Sequence, residues 1–343
     1  MADNLNAADL SAVDVDGLIN EEVMQRIWDI SRIPLPLTDM IGSGSIGNAR
    51  FSWTLDALQD PLIDDQVVDG SDTITNDDTN LGARVQNYAE IKTRTVKVSS
   101  RADASNTIGF ARALAYQVMM RQLEVRRSVE ATMLSNNASQ ADDGASVPGV
   151  TGGLDAWLVT NTIEGATGSV GGFNTVTGVV DAYTPGTPAA LTETVFKDML
   201  QAVYEQGGEA ITVMARTPVI RLFSEFQFSA GARVATLTRE TKGDAGPATA
   251  VGAVNVYIGD FATVTLRANR LQQVTASNSS TMFILDPDLL EVAFLRGYRT
   301  ETLQKAGLAE NRQLSVDWGL RVGNEAGLAA IRDIDETAAM VVV

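Results

Sequence analysis

The sequence predicts an α+β chain in which a two-stranded arm and one long helix stand beside mixed sheets. Three stretches carry that prediction. Residues Arg84–Arg101 are Thr-rich and alternating, and they run into a helical pattern over about Ile108–Ser135. In Ala49–Pro61, Phe51, Trp53 and Leu55 alternate with Ser52, Thr54 and Asp56, so the two extended segments make a hairpin with an acidic connection, Ile63–Leu81. Near the end, Leu314, Val316, Trp318, Leu320 and Val322 alternate with Gln313, Ser315, Asp317 and Arg321. That pattern is a half-buried antiparallel strand suited to packing against the long helix. A two-stranded arm is marginal in water by itself and needs a surface to dock on. Such a chain suits a subunit that reaches over its neighbours.

Composition narrows the chemistry. The chain has 343 residues, 45% hydrophobic and 20% charged, enough for two or three units of ordinary domain size. It has no cysteine and no histidine. Disulfides, thiolate nucleophiles, Cys/His zinc sites and histidine acid–base chemistry are therefore excluded. No cofactor is expected, and no enzyme activity. The apolar runs fall short of a ~20-residue membrane span, and the acidic N-terminus is unlike a signal peptide, so a soluble protein made in the cytoplasm is expected. Of the formal charge of −17, most sits in residues 1–80, with 16 Asp/Glu against 3 Arg, while residues 81–343 hold 27 against 23 Lys/Arg. That imbalance reads either as a solvated surface or as an acidic arm seeking basic partners on a neighbouring subunit. An acidic chain with no basic stripe is not a sequence-reading nucleic-acid binder.

In chain order, residues 1–20 read as a loose acidic arm, followed by a short helix around Asn20–Ile30 with Val23, Ile27 and Ile30 on one face. Pro34 and Pro36 favour extended backbone. Gly42–Gly47 ("GSGSIG") reads as a flexible turn, because it lacks the Gly-Lys-Ser/Thr ending and the flanking strand and helix of a phosphate loop. The long helix carries Ala111, Leu114, Ala115, Val118, Val125 and Val129 at helical spacing. Its polar face carries Arg112, Arg121, Glu124, Arg126, Arg127 and Glu130, with Arg126–Glu130 and Glu124–Arg127 spaced to pair.

Residues 163–190 read as loops and short strands, and Thr192 caps a helix over Glu193–Gln206 that Gly207-Gly208 ends. Ala210–Arg216 is a buried strand, and Thr217-Pro218 starts another helix, Pro218–Ser229. Val254–Arg270 alternates as strands about Gly259-Asp260, which gives an α/β unit over roughly 150–285. Phe283–Leu303 is strand, broken at Asp286-Pro287. Internal repeats and coiled-coil heptads are absent.

Four segments then carry a resemblance: "IPLPLTDMIGSGSIGNARFSWTLDALQDP", "NYAEIKTRTVKVSSRADASN", "GGLDAWLVTN" and "ILDPDLLEVAFLRGYRTETLQKAGLAENRQLSVDWGLRVGNEAGLAAI". In order and spacing the chain resembles the major capsid proteins of tailed bacteriophages with the Hong Kong 97-type fold, within a podovirus/siphovirus group. The resemblance implies an N-terminal arm (1–48), an E-loop hairpin (49–101), a spine helix with adjoining P-domain (102–149), an A-domain facing the capsomer axis (150–285) and P-domain return strands (286–343). It implies a homo-oligomer of hexamers and pentamers, an icosahedral shell around double-stranded DNA that is contained without sequence-specific binding, and no membrane. A portal, a separate scaffolding protein and a decoration protein are the implied partners, and the virion is the implied location. Some relatives cross-link an E-loop lysine to a neighbour's asparagine. Here the five lysines are Lys92, Lys97, Lys197, Lys242 and Lys305, none in the arm's tip, so a shell held by non-covalent contacts or by decoration proteins is expected.

The expected interface sets Asp56, Asp60, Asp64, Asp65, Asp69, Asp72, Asp77 and Asp78 of the arm against adjacent subunits, with Arg112, Arg121, Arg126 and Arg127 as candidate partners. Two rival readings remain. One is an encapsulin-like nanocompartment shell, which shares the fold. The other is a carboxylate-dependent hydrolase using Asp286 and Asp288, set against the turn-forming habit of Asp-Pro-Asp.

Overall fold

The computed structural model describes residues 34–56, 58, 61, 63–64, 66–72, 82–105, 112–227, 256–274, 278–305 and 307–340. The expected arm 1–20 and helix Asn20–Ile30 lie outside them. In chain order the elements are β1 (Gly42–Ser45), β2 (Arg50–Leu55), β3 (Ala83–Tyr88), β4 (Glu90–Ser99), α1 (Ser100–Ala104), α2 (Ala113–Met133), α3 (Leu154–Trp157), β5 (Thr162–Ile163), β6 (Gly172–Asn174) and β7 (Val179–Asp181). After them come α4 (Glu193–Glu205), β8 (Thr212–Ala215), α5 (Thr217–Gln227), β9 (Val256–Ile258), β10 (Thr263–Ala268), β11 (Ser279–Leu285), β12 (Leu290–Thr302), β13 (Ala309–Val322) and β14 (Ala329–Asp335).

Two sheets organise the chain. One has the order β1-β12-β13-β4, with β1 parallel to β12 and the other pairs antiparallel. The alternation of β13 does what its sequence requires: Leu314, Val316, Trp318, Leu320 and Val322 are all 3% exposed or less, and they join Val125, Val129 and Met133 of α2 in one core. Side chains of this size contribute about 1.5–3 kcal/mol each when fully buried. The other face of β13 is not wholly exposed, because Asp317 is also buried, paired with Arg296 at 3.1 Å.

The second sheet has the order β5-β14-β11-β8-β10-β9. Its central strands are buried on both faces, so β8 and β11 read as continuous apolar or small-residue runs. Met214, Phe283 and Leu285 face the α2 core, while Val213, Met282 and Ile284 face Phe196, Leu200 and Val203 of α4 and Val219 and Phe223 of α5. The cap at Thr192 is present, its side chain accepting from Val195 N at 3.2 Å, and Gly207 closes α4 with φ +79°.

Local expectations fail in four places. Gly42–Ser45 is a strand and not a turn, because a residue without Cβ at Gly44 leaves room for the Glu291 carboxylate, which Arg321 holds at 2.7 Å. Arg84–Arg101 is not one strand: the chain leaves the arm at Ala89 and joins the sheet of β12 and β13 as β4, and Ser99 then caps α1. The long helix begins at Ala113, where Asp103 of α1 accepts from Leu114 N at 3.0 Å, and residues 106–111 lie outside the described set. Pro34–Ile41 makes a turn, with Leu35 O accepting from Asp39 N at 3.0 Å, where extended backbone was expected.

That turn explains a fifth difference. Glu130 does not lie on a solvated helix face and does not pair with Arg126; it is fully buried. Its carboxylate accepts from Leu37 N, Thr38 N and Asn269 Nδ2, each at 2.8 Å, and from Thr38 Oγ1 at 2.5 Å. One buried anion thus ties the N-terminal turn, α2 and the segment after β10 together through charge-assisted hydrogen bonds. Replacing it leaves four donors without an acceptor. Glu130→Ala is expected to lower the stability of the unassembled subunit by ~3 kcal/mol in a denaturant titration, with Glu130→Gln intermediate.

Candidate functional site

The arm is a two-stranded ladder with two unlike faces. Register pairs Arg50 with Tyr88, Ser52 with Gln86 and Thr54 with Arg84 on one face, and Phe51 with Asn87, Trp53 with Val85 and Leu55 with Ala83 on the other. The second face is bolted to the body. Phe51 stacks on Trp53 and Trp157 on Phe173, and Trp53 meets Trp157 at a tilt, with ring centroids 5.4–5.9 Å apart. Asn87, fully buried, donates to Leu320 O at 2.7 Å and accepts from Gly152 N at 2.9 Å. Gly319 lies under the Phe51 ring, where a Cβ would come within 2.5 Å of the ring edge. The base of the arm therefore docks on its own chain, which the expectation of an arm lacking a local partner missed.

Beyond Leu55 and Ala83 the character changes. Leu58 is fully exposed and Ile63, Val67 and Val68 are more than 70% exposed, interspersed with exposed Asp56, Asp64, Asp69 and Asp72. Asp60, Asp65, Asp77 and Asp78 lie outside the described residues. Apolar side chains exposed in series mark a contact surface.

The four arginines lie on α2 or at its start. Arg112 is exposed at the N-cap position, and Arg121 bonds both Glu124 oxygens at 2.5–2.6 Å. Arg126 lies over the Tyr298 ring at 5.4 Å, and Arg127 is half-buried. Glu124 thus pairs with Arg121 and, at 3.9 Å, with Arg94, in place of the expected Arg127. Among the described residues no arm aspartate forms an ion pair with any of these arginines.

A buried polar network went unread in the sequence. Arg332 of β14 has a fully buried side chain; Nε donates to Asp155 Oδ1 at 2.8 Å, Nη1 to Glu164 Oε1 at 2.6 Å and Nη2 to Leu158 O at 2.8 Å, and the guanidinium lies over Tyr183 at 4.3 Å. Burial pushes the Asp155 carboxyl up, and the Arg332 charge opposes that shift. Next to it Asp333 adopts φ +53° and accepts from Gly186 N at 2.8 Å and Gly165 N at 3.1 Å. The available signal was a charged pair, Arg332-Asp333, set between the apolar residues Ile331 and Ile334 of the strand.

Asp286 and Asp288 do not form a reacting pair. Asp286 accepts from Asp288 N at 3.0 Å through one oxygen and from Glu209 N at 3.1 Å through the other, so it caps the 3₁₀ turn 287–289. Among the described residues no group of three or more acidic side chains is arranged to hold a metal, and no helix is long and apolar enough to cross a membrane.

A long helix across a four-stranded sheet, a second sheet with its own helices and a projecting two-stranded arm define the Hong Kong 97-type capsid fold. The chain belongs to the SU10 major capsid protein family, whose model matches residues 5–335. It is 27% identical over 221 residues to the major capsid protein of Escherichia phage Phieco32, a match covering 56% of this chain and 62% of that relative's length.

Among solved structures it is similar to a chain of Microbacterium phage Oxtober96 (TM-score 0.58, 11% identity, 96% of this chain and 99% of that one). The capsid of a native GTA particle matches with TM-score 0.56 and 14% identity, over 92% and 96% of the two chains. An encapsulin complex from Synechococcus elongatus gives TM-score 0.56 at 10% identity, over 98% and 99%. At these identities the structural matches establish the fold alone.

The close approach at Gly319 makes the arm's seat testable. Gly319→Val forces Phe51 off the sheet and is expected to cost ~2 kcal/mol in chemical denaturation. Limited proteolysis within 56–82 should become faster at the same time. Unchanged stability and cleavage would mean that Phe51 does not seat the arm.

Proposed function

We propose that the chain is the shell subunit of a tailed phage, assembling into the hexamers and pentamers of an icosahedral capsid around double-stranded DNA. The observation that carries this is the arm: its base is fixed to the body, and its tip presents Leu58, Ile63, Val67 and Val68 exposed, uncovered among the described residues. A surface of that kind belongs against another copy. Head-to-tail contacts between copies close into rings and curved lattices.

In this assignment residues 1–48 form the N-terminal arm, 49–101 the E-loop, 102–149 the spine helix and P-domain, 150–285 the A-domain and 286–343 the P-domain return. The eight arm aspartates lie on an adjacent subunit, with Arg112, Arg121, Arg126 and Arg127 among their partners. Each exposed pair is worth only ~0–1 kcal/mol, so cohesion comes from many contacts repeated over many copies. DNA is enclosed and not gripped, because a chain of net charge −17 does not bind a polyanion tightly. The subunit acts without catalysis and without a cofactor, and a portal, a separate scaffolding protein and a decoration protein complete its partners.

The similarity to an encapsulin over 98% of the chain supports a nanocompartment shell as the second reading, since the fold serves both. A cargo enzyme encoded beside the gene would favour that reading, and a portal and terminase there would favour the phage.

Electron microscopy of the purified protein, with light scattering on the same sample, tests the shell assignment. Closed particles or capsomer rings are expected; a chain that stays monomeric at high concentration, with scaffold protein supplied, defeats it. Asp64→Asn, Asp65→Asn and Asp69→Asn together should reduce both particle yield and its response to salt. Particles that form with unchanged yield and salt response would remove electrostatic docking from the account.

A further inference from the structure

The outward face of the arm's base holds two guanidiniums whose charge is not answered. Arg50 and Arg84 are exposed on adjacent strands of the ladder, on the face opposite the aromatic row. Both are held in place by neutral groups: Arg50 Nε donates to Gln86 Oε1 at 2.8 Å, and Arg84 donates to Ser52 Oγ from Nε at 3.0 Å and Nη2 at 2.8 Å. Gln86 in turn is anchored on the β6–β7 hairpin through Gly178 O at 2.6 Å. Among the described residues neither guanidinium has a carboxylate partner.

They line one open groove of about 330 Å³, walled by Tyr88, Phe173 and the exposed Val176 of that hairpin, with no acidic side chain in its lining. The contrast with the helix is instructive. The groove beside Arg112 is lined by Asp103 and Glu310, Arg121 is engaged by Glu124, and Arg126 is stacked on Tyr298. Of the helix arginines Arg121 is bonded to a carboxylate of its own chain, and acidic side chains line the groove beside Arg112; the groove of Arg50 and Arg84 has neither.

We propose that this groove receives the acidic arm tip of a second copy of the chain, with Arg50 and Arg84 bonding its aspartates and Phe173 and Val176 meeting its exposed aliphatic residues. The proposal rests on the shell reading and names the receiving surface for it. Two observations fix the occupant. The tip carries the complementary chemistry, Asp56, Asp64, Asp69 and Asp72 interspersed with Leu58, Ile63, Val67 and Val68. Among the described residues those aspartates are exposed and make no ion pair, which leaves them free to meet the guanidiniums of another copy. Guanidiniums pre-set by Gln86 and Ser52 lose little freedom on capturing a carboxylate, which favours them over free surface lysines.

Charge reversal in the full-length chain tests this. Under conditions where the native chain assembles, Arg50→Glu with Arg84→Glu is expected to raise the concentration needed for assembly by about tenfold or more, and Arg50→Gln with Arg84→Gln by less. Circular dichroism and thermal melting of the unassembled subunits should match the native chain, since both side chains are exposed. Adding Asp64→Lys, Asp69→Lys and Asp72→Lys to the Arg→Glu chain should restore assembly.

Unchanged assembly of the Arg→Glu chain overturns the proposal. So does a defect that the arm lysines do not relieve, or their relief of an Arg112→Glu, Arg127→Glu chain instead, which would return the contact to the helix and leave the shell reading intact. An Arg→Glu chain that assembles normally but loses retention of a double-stranded DNA fragment also overturns it, assigning the groove to phosphate. If the native chain forms no particles, the shell reading fails first; self-association by sedimentation, compared between native and Arg→Glu chains, still reads the arm–groove contact.

Discussion

The burial of one face of β13 is the constraint on which the rest of the subunit is built. Five alternate side chains from Leu314 to Val322 leave water together, and only a long apolar helix face can cover a strip of that length, so α2 lies where it does. The same strand pairs with β12 on one side and β4 on the other, and its Leu320 carbonyl and Gly319 receive the arm through Asn87 and Phe51. Helix, sheet and arm are therefore not three modules in contact. They share one strand, and a defect in it would propagate to all three.

Division of labour between inner and outer chemistry follows from that arrangement. Inside, charges are few and heavily bonded: Glu130 gathers four donors, and Arg332 is held by two carboxylates and the faces of neighbouring groups. Outside, the arm tip leaves both apolar and acidic side chains uncovered. A chain that worked alone would have little use for such a tip. Weak contacts suit a closed lattice, because errors can dissociate during growth while the completed set holds.

The sequence was legible wherever structure is local. The period-2 pattern of Gln313–Val322, the cap at Thr192, the break at Asp286-Pro287 and the hairpin about Gly259-Asp260 all depend on residues near in the chain, and all are present. The misreadings have a common cause, which is a partner distant in sequence. Gly42–Ser45 looks like a turn until β12, some 250 residues on, supplies a strand to pair with. Glu130 sits among arginines in sequence, and only the folded chain brings Leu37 and Thr38 to its carboxylate. Arg332 gave a clue, a charge inside an apolar run, but its acceptors Asp155, Leu158 and Glu164 lie in one stretch far back in the chain. For the candidate interface, the sequence offered the acidic tip and the helix arginines. It did not reveal that two of those arginines are already occupied, nor that Arg50 and Arg84 share a face, because register between strands is not written in either strand alone.

The sealed Arg332–Asp155–Glu164 cluster has a consequence for how such a particle could be taken apart. Mobile ions screen exposed charges beyond a Debye length of about 8–10 Å, but they do not enter a site where the guanidinium has no accessible surface. Raising ionic strength therefore acts on the boundary between copies and passes over the bonds that hold each copy together. Salt that loosened that boundary would on this account leave the fold of each copy standing.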